Sequence, residues 1–367
     1  MKMKRIMAAV VAAAMTLAFA GCSSTNTDTN ADTSAADANA ETSAAADTAD
    51  TTAEKDSYTI GVIQFGSHPS LDNCYQGIEN GLMSSSIADK ITIDRQDGNF
   101  DSATCDSIAK NMASKNYDLI FAIATPAAVS AYSATQNSQT PVIFTAVSDP
   151  VAAGLVESLD AGSKNCIGTS DVLDLEAQVA LIQALQPDVK TIGILYTTSE
   201  ANSVSNLARL EEITSTMDIT VEAQGVQSAA DIPQAAATLA SKVDCINNFT
   251  DNNVVSNLSV LLEKANAANI PVYGSEIEQV YNGCIASISI DYVALGEKTA
   301  EMGLEVLNGA DPQTMAVGTI TEGTPVVNTD VLAQFGIELP ESYANAEKVV
   351  TGGNSEEQFI RKLLRSE

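Results

Sequence analysis

The chain has no tryptophan, one histidine and only 18 basic residues against 47 acidic ones. Its net charge of −29 repels nucleic-acid phosphates and anionic membrane surfaces, which excludes binding to either through a basic patch. A Ser-His-Asp triad would have to use His68, and there is no G-x-S-x-G turn around a nucleophilic serine. The chain also lacks a G-x-G-x-x-G or Walker loop for nucleotide phosphates. These missing motifs argue against an enzyme.

The 6 cysteines are far apart, and no two of them form a C-x-x-C pair. Cys22 belongs to a targeting signal, which leaves Cys74, Cys105, Cys166, Cys245 and Cys284. An odd number at such spacings is not a disulfide framework, and we expect small buried apolar side chains instead. No cluster of histidines and cysteines has metal-ligand spacing, so the sequence predicts neither a metal site nor a cofactor.

The N-terminus has the features of an export signal. A positive stretch at residues 2–5 precedes a short apolar core at residues 6–19 and the sequence Ala20-Gly21-Cys22. Residues 1–21 resemble a bacterial lipoprotein signal, in which cleavage before the cysteine follows addition of a diacylglycerol, with palmitate-type acyl chains, to its sulfur. An ordinary secretory cleavage near Ala20 is the alternative. The resemblance implies a lipid anchor at Cys22 on the extracytoplasmic face of the cell membrane.

Residues 22–57 are almost entirely small or acidic, so they cannot bury enough apolar surface to fold. We expect a disordered acidic tether that spans roughly 30 Å, long enough to let a folded head reach a membrane partner. At the other end, residues 345–367 form either a short amphipathic helix or a disordered tail.

From Tyr58 onward, short apolar runs rich in Ile and Val alternate with helix-like segments. This alternation predicts parallel sheets covered by helices on both faces. About nine strands in about 280 residues suggest two sheets rather than one. The strand candidates are Thr59–Phe65, Ile91–Gln96, Asp118–Ala124, Pro141–Val147, Thr191–Tyr196, Ile219–Val226, Val243–Phe249, Ile270–Gly274 and Cys284–Ile290.

The predicted fold is therefore α/β, with two doubly wound parallel-sheet lobes. The first lobe comprises residues 58–168 and about 289–316, and the second comprises residues 169–288 and about 317–344. The break lies near Gly168–Asp171. The strand Cys284–Ile290 leads back across, so the helix after Asp291 joins the first lobe.

Polar loops follow most of the predicted strands, where ligands bind in open parallel sheets. They contain His68 to Asp72, Thr125, Ser148-Asp149, Glu200 to Ser203, Asp251-Asn252 and Ser275-Glu276. Backbone N–H groups at the helix starts suit a carboxylate, and Asp149, Glu200 or Asp251 could hold an ammonium group. Alternatively, these side chains only cap helices. Because one rule places all the loops at one crevice, we predict a binding cleft.

The loops also carry a family resemblance over nearly all of residues 58–340. The chain resembles the substrate-binding proteins of ABC transporters, in the family that includes tryptophan- and tyrosine-binding lipoproteins. This resemblance implies a type I periplasmic-binding fold with three crossovers and a cleft that closes on an amino acid. It rests on IGVIQFGSHPSLDNCYQG, DLIFAIATPAA, PVIFTAVSDPVAAGLV, IGILYTTSEANS, FTDNNVVS and DYVALGEKTAEMGLEVLNG.

The resemblance and the loops together give the candidate ligand-binding residues. Ser70, Thr125 and Ser148 would hold a carboxylate, and Asp251 an ammonium group. His68 matches the family's His-Pro pair or is a structural loop residue, and Phe65 is a candidate stacking face. The full set is Ser70, Leu71, Thr125, Ser148, Asp149, Glu200, Asn202, Asp251 and Asn252.

The predicted function is that of an extracytoplasmic solute-binding lipoprotein of an ABC importer. Its partners would be a permease, an ATPase and a small ligand bound by a monomer. The expected ligand is an amino acid, with an aromatic amino acid as one option. A ligand-sensing receptor with the same fold is one alternative. A nucleoside- or sugar-binding component is another, although the lack of tryptophan weakens the sugar interpretation.

Overall fold

The computed structural model describes residues 55–320 and 323–353. The expected signal peptide, Cys22, most of the tether and residues 354–367 lie outside the described residues. The first lobe contains a six-stranded parallel sheet in the order β11-β5-β4-β3-β1-β2. Its strands are β1 Tyr58–Gln64, β2 Ile91–Asp97, β3 Leu119–Ile123, β4 Val142–Thr145, β5 Cys166–Ser170 and β11 Gly318–Thr319.

Four helices cover the first sheet: α1 Pro69–Met83, α2 Ser102–Ser114, α3 Thr125–Thr135 and α10 Tyr292–Leu307. Helices α1 and α10 pack backbone against backbone at Gly77 and Gly296. A Cβ on Gly77 would lie 2.1 Å from the Val293 carbonyl oxygen, and one on Gly296 would lie 2.2 Å from the Cys74 carbonyl oxygen. Only glycine permits this approach, and it fixes the position of α1, which begins at the cleft.

The second lobe contains a four-stranded parallel sheet in the order β7-β6-β8-β9 and a three-stranded sheet in the order β10-β12-β13. Its strands are β6 Thr191–Thr197, β7 Thr220–Val226, β8 Cys245–Asn247, β9 Val272–Tyr273, β10 Ala286–Ser289, β12 Thr324–Asn328 and β13 Glu347–Val349. Strands β10 and β12 are antiparallel, a departure from an all-parallel lobe. Backbone hydrogen bonds from Ile285 to Val272 and from Gly274 to Ala286 join the two sheets.

The helices of the second lobe are α4 Leu175–Leu185, α5 Ala201–Thr214, α6 Ile232–Ala240, α7 Asn252–Ser256, α8 Leu258–Ala267, α9 Ile277–Tyr281 and α11 Thr329–Phe335. Successive residues of β6 bury opposite faces of the sheet. Ile194 belongs to one apolar cluster and Leu195 to another, so each face has its own core. The first lobe has one large apolar cluster.

The chain passes between the lobes three times: after β5, after β10, and between β11 and β12. The predicted fold class, two α/β lobes joined by three crossovers, is confirmed. Helix α10 packs on α1 and on β4 and β5 of the first lobe. The first sheet extends to Ser170 and Thr319, slightly beyond the expected lobe boundaries.

The five cysteines in the described ranges are all buried and unpaired. Burial raises the pKa of the Cys105 thiol to about 12, so this thiol stays protonated at neutral pH. Among the described residues, no helix is both long and apolar enough to cross a membrane.

Candidate functional site

A cavity of about 290 Å³ lies between the two lobes, at the carboxyl ends of their strands. The first lobe contributes His68, Ser70, Leu71, Ala146 and Tyr292, with Asp171 at the first crossover. The second lobe contributes Thr250, Asn252, Val255, Glu276 and Gln279. The predicted residues that line this cavity are Ser70, Leu71 and Asn252.

Side chains of the two lobes contact each other around the cavity, so the cleft is closed. The contacts are His68 Nε2 with Asn252 Oδ1 at 3.4 Å, Asn73 Nδ2 with Glu278 Oε1 at 3.1 Å, Ser148 Oγ with Thr250 Oγ1 at 3.3 Å, and the Ser205 hydroxyl with the Asp149 carboxylate. Asp149 thus closes the edge of the cleft rather than lining the cavity.

The loop after β1 positions the start of α1. Asp72 accepts hydrogen bonds from Gln64 Nε2 at 2.8 Å and from Arg95 Nη2 at 3.0 Å, and this network holds the loop before Pro69. His68 occupies the N-cap position without a side-chain capping bond, which leaves N–H groups of the first helical turn available. The Ser70 hydroxyl is buried and has no partner. This end of α1 can therefore bind an anionic group.

Two alanines at the ends of neighbouring strands have left-handed backbone conformations. Ala124, after β3, has φ 79°, and Ala146, after β4, has φ 52°. An L-residue adopts this conformation at a cost of about 1–2 kcal/mol, a form of strain that clusters at functional sites. Ala146 lines the cavity, whereas Thr125 begins α3 outside its lining, with a buried hydroxyl that has no partner.

Asp171 is a buried carboxyl group at the first crossover. It accepts hydrogen bonds from Tyr292 Oη at 2.8 Å and from Ser148 Oγ at 3.0 Å. Burial raises the pKa of Asp171 above its ordinary value, and the two hydrogen bonds partly oppose that rise. Ser148 therefore orients Asp171 and also contacts the opposite lobe.

Glu276 supplies a second buried carboxyl group from the other lobe. Its Oε2 accepts a hydrogen bond from the Glu278 N–H at 2.9 Å, but its Oε1 has no partner. Burial raises the pKa of Glu276 to about 7. The Ser70 hydroxyl of the opposite lobe lies near enough to oppose this rise, although it makes no hydrogen bond of normal geometry to the carboxyl group, and the charge of Glu278 adds to the rise. One carboxylate oxygen in the cavity wall therefore lacks a counterpart in the protein.

Asp251 lies outside the cavity, and both of its oxygens are occupied. Its Oδ1 accepts from Thr197 Oγ1 at 2.8 Å and from Val254 N at 3.0 Å, while its Oδ2 accepts from Thr197 N at 2.6 Å and from Ser203 Oγ at 2.7 Å. These bonds fill the four acceptor positions of a carboxylate. The structure therefore places Asp251 as a brace between β6, α5 and α7.

Glu200 forms a second brace beside Asp251. Its Oε2 accepts from Asn252 Nδ2 at 2.7 Å and from Asn252 N at 3.0 Å, and its Oε1 accepts from Asn253 N at 3.1 Å. Asn202 Nδ2 donates to the Thr250 carbonyl at 3.1 Å, while its Oδ1 has no partner. Burial, followed by the nearby Asp251 charge, raises the pKa of Glu200.

A second, more open space of about 880 Å³ adjoins the cleft. Phe65 and Phe100 line it with Glu200 and Asn253. The Phe65 and Phe100 rings meet edge to face at 5.8 Å, and His68 stacks on Phe100 at 6.3 Å with nearly parallel rings. Phe65 therefore lies in the wall of this outer space and does not line the inner cavity.

Comparison with known proteins identifies the family. A family model described as ABC transporter substrate binding protein matches residues 59–350. The chain belongs to this family. Its members are solute-binding proteins rather than enzymes, and they work with a transporter permease and an ATPase.

Similar proteins add detail to this assignment. The substrate-binding protein is 37% identical over 286 residues to a tyrosine-binding protein of Clostridioides difficile, covering 77% of this chain and 82% of that one. It matches a Streptococcus pneumonia ABC domain in complex with L-Trp with TM-score 0.77 and 36% identity, over 80% of this chain and all of that chain.

An open structure offers a contrast with the L-Trp complex. The ligand-free, open form of a Clostridium difficile substrate-binding protein with adhesive properties matches with TM-score 0.62 and 37% identity, over 80% of this chain and 99% of that one. The two structures have nearly equal sequence identity to the substrate-binding protein, but its shape is closer to that of the L-Trp complex than to that of the open form. This agrees with the contacts across its cleft.

Sequence reasoning missed several cavity residues of the substrate-binding protein. Asp171 was a lobe boundary and Tyr292 a helix-face residue, and neither was a candidate. Glu276 follows β9 directly, so the rule that ligands bind at the carboxyl ends of strands pointed to it. For Thr250, Val255 and Gln279, no sequence signal distinguished a cavity wall from an ordinary loop or helix. In the described ranges, no group of three or more metal-ligating side chains could hold an ion.

Proposed function

We propose that this substrate-binding protein captures an amino acid with an aromatic side chain and delivers it to an ABC importer. The observation that carries the proposal is the closed cavity in which Ser70 Oγ and Glu276 Oε1 are buried without protein partners. Buried polar groups in folded proteins are nearly always hydrogen-bonded, so these two atoms indicate a ligand with both donor and acceptor groups.

The ligand's ammonium group would bind Glu276, with Asp171 nearby. No lysine or arginine lines the cavity, so its two carboxyl groups have no cation from the protein. A buried carboxylate is costly unless it is paired. An ammonium group would relieve this cost at Glu276 Oε1. This proposal moves the ammonium site from Asp251, whose oxygens are occupied by protein donors, to Glu276.

The ligand's carboxylate would bind the start of α1. The available N–H groups there and the Ser70 hydroxyl are donors beside the positive end of a helix dipole. Of the predicted carboxylate ligands, Ser70 keeps this role. In this proposal Thr125 and Ser148 shape the site, because Thr125 lies outside the cavity lining and Ser148 is bonded to Asp171.

The ligand's side chain would pack against Leu71, Val255 and Tyr292, the apolar part of the wall. The cavity is small and lies between the two lobes, which favours one small molecule over a peptide. An aromatic side chain is supported by two similar proteins, one named for tyrosine and one bound to L-Trp.

Ligand binding would drive closure through the same groups. Closing the empty cleft buries Glu276 and Asp171 without a cation, whereas closing it around an ammonium group pairs them. A ligand shifts a conformational equilibrium only by its difference in affinity for the two states. Glu276 therefore favours the closed form specifically when the ligand is present.

In the cell, a monomer anchored through Cys22 would present the closed form to a permease and its ATPase. The support is the lipoprotein-like signal before Cys22 and the acidic tether composition that follows it. A receptor that reports ligand to a signalling partner would use the same cleft. A neighbouring permease gene in the genome favours transport, and its absence favours the receptor.

Calorimetric titration of the purified head, residues 55–353, with the twenty amino acids and a set of nucleosides and sugars tests this proposal. We expect tight binding of an aromatic amino acid. Glu276→Gln should weaken that binding by about ten- to a hundredfold, because a charge-assisted hydrogen bond contributes about 1.5–3 kcal/mol.

Glu263→Gln is the matched control, since Glu263 is exposed on α8 and pairs only with its neighbour Lys264. It should leave the affinity unchanged. Binding of a sugar or nucleoside instead of any amino acid would overturn the proposed ligand class. Equal affinities for Glu276→Gln and the control would overturn the ammonium site.

A further inference from the structure

We propose that His68 Nδ1 is a hydrogen-bond acceptor for the ligand's side chain, so that the site selects aromatic amino acids bearing a ring donor, either a phenol O–H or an indole N–H. This inference rests on the proposed function and refines its ligand class. It assigns a role to the chain's single histidine, which the binding scheme above leaves unused.

The argument begins at Glu200, which fixes the orientation of the Asn252 amide. Asn252 Nδ2 donates to Glu200 Oε2 at 2.7 Å, and Asn252 N donates to the same oxygen at 3.0 Å. The amide nitrogen is therefore directed toward Glu200, because Oε2 accepts from both N–H groups of Asn252 and a proton taken up by Glu200 would reside on Oε1. The other end of the amide, Oδ1, contacts His68 Nε2 at 3.4 Å across the cleft.

The amide orientation in turn fixes the histidine tautomer. Because Oδ1 can only accept, His68 Nε2 must carry the hydrogen of this contact. A neutral imidazole with its hydrogen on Nε2 has a lone pair on Nδ1. The chain Glu200–Asn252–His68 thus presents an acceptor at Nδ1, a group that is shielded from water and has no protein partner.

The ring stays neutral at physiological pH. Burial lowers the pKa of His68 to about 4, although the contact with Asn252 and the charge of Asp72 partly oppose the decrease. The acidic groups of the same cavity are Asp171 and Glu276, while Arg95 neutralises Asp72. Nδ1 is therefore an acceptor both at neutral pH and in a mildly acidic medium.

Among the ligand's hydrogen-bond donors, only one on its side chain is left to bond His68 Nδ1. The ammonium group is taken by Glu276 and Asp171 in the proposed scheme, and the carboxylate has no hydrogen to donate. His68 also lines the inner cavity beside Leu71 and Tyr292, the apolar wall against which the ligand's side chain would pack. A donor at the edge of an aromatic ring is the group that remains for Nδ1.

Selectivity follows from what His68 Nδ1 bonds to in the open form and in the closed form. In the open form, water can hydrate Nδ1; in the closed form, tyrosine or tryptophan replaces that water, whereas phenylalanine leaves the acceptor unpaired. An unpaired buried polar group costs about 1–3 kcal/mol. Sites built to bond a substrate hydroxyl therefore reject the analogue that lacks it.

Calorimetry with matched ligands is the first test. The wild-type protein should bind L-tyrosine at least about fivefold more tightly than L-phenylalanine or O-methyl-L-tyrosine, and L-tryptophan more tightly than 1-methyl-L-tryptophan. His68→Leu should bring these ratios close to one. His68→Gln, which restores an acceptor oxygen, should recover part of the preference.

Nitrogen-15 NMR of the wild-type protein is the second test and needs no variant. With one histidine in the chain, the imidazole nitrogens are assigned without ambiguity. We expect an unprotonated Nδ1 and a protonated Nε2 at pH 7. L-Tyrosine should shift the Nδ1 resonance in the direction of an accepted hydrogen bond, and L-phenylalanine should not.

The two proposals fail in different ways. If no aromatic amino acid binds, the proposed function is wrong. If L-tyrosine and L-phenylalanine bind equally well, or if the hydrogen lies on Nδ1, the proposed function stands and the His68 inference is wrong.

Discussion

The loops of the two lobes that meet at the cleft differ in how far their polar groups are already bonded. At the start of α1 and of α3, the first lobe leaves the hydroxyls of Ser70 and Thr125 buried and unpartnered. After β6 and β8, the second lobe bonds its carboxylates to its own backbone and side chains, as at Asp251. Polar residues at equivalent strand ends thus keep unpartnered hydroxyls in one lobe and brace the other lobe through their carboxylates.

The lobes also differ in what holds the cleft loops in place. In the first lobe, glycine-mediated packing of α1 on α10 and the buried strands of a six-stranded sheet fix the start of α1. In the second lobe, α7 is only five residues long, from Asn252 to Ser256. So short a helix cannot hold itself in place, and the carboxylates of Asp251 and Glu200 do so instead. Glu276 differs from these two carboxylates, because one of its oxygens is left unpaired.

Removing the Asp251 brace should give the largest effect on stability. Asp251→Ala leaves the buried donors of Thr197, Ser203 and Val254 unpaired, and we expect the free energy of unfolding to fall by about 3–5 kcal/mol. Urea denaturation measures this change. The control is Asp174→Ala, which removes an exposed N-cap of α4 and should cost about 1 kcal/mol. Equal losses in the two variants would contradict the distinction between brace and ordinary cap.

Removing the Ser70 hydroxyl from the first lobe should weaken ligand binding and leave stability almost unchanged, the opposite of what we expect for the Asp251 brace. Ser70→Ala deletes a group without a protein partner, so the free energy of unfolding should change by less than about 0.5 kcal/mol. Affinity for the amino acid should fall about tenfold, the value of one hydrogen bond to a charged group. Calorimetry and urea denaturation on one preparation would measure both quantities. A loss of stability with unchanged affinity would mean that Ser70 is structural.

The pH dependence of stability should show the smallest effect and should be traceable to Glu200. Because its pKa is raised in the folded state, the native protein binds more protons than the unfolded chain at intermediate pH. The contribution of Glu200 is complete below the ordinary glutamate pKa and is lost as the pH rises through the raised value. The Tm of the ligand-free protein should therefore fall between pH 5 and pH 8.5.

Glu200→Gln separates the contribution of Glu200 titration from the charge repulsion within an acidic chain, which also changes with pH. It keeps an acceptor oxygen for Asn252 but loses the one for Asn253, a change that does not depend on pH. Because glutamine cannot titrate, the Tm of this variant should fall less over the same interval. We expect a difference of about 2–4 °C, equivalent to about 1 kcal/mol. Parallel curves for the two proteins, recorded by differential scanning calorimetry, would exclude Glu200 as a titrating group.

Much of the fold was determined by local sequence pattern. Short runs of Ile and Val between helical segments specify buried parallel strands, and the expected β1, β2 and β6 agree with the structure to within one residue at each end. Other strands escaped prediction, because Gly318–Thr319 and Glu347–Val349 are too short to show a period. The antiparallel pairing of β10 with β12 joins segments far apart in sequence, and no local signal records it.

The candidate site, like the fold, has features that follow from local sequence and features that depend on tertiary contacts. The order of strands and loops along the chain already indicates that polar loops follow the strands and that Ser70, Leu71 and Asn252 lie at one cleft, since strand direction fixes where these loops lie. Which carboxyl group keeps a free oxygen depends on the packing of distant segments. Asp251 and Glu276 both follow strands of the second lobe, but Asp251 is bonded by β6 and α5 while Glu276 Oε1 is not bonded. Hydrogen-bond partners come from distant segments, and that is why the role of a polar residue cannot be read from its own loop.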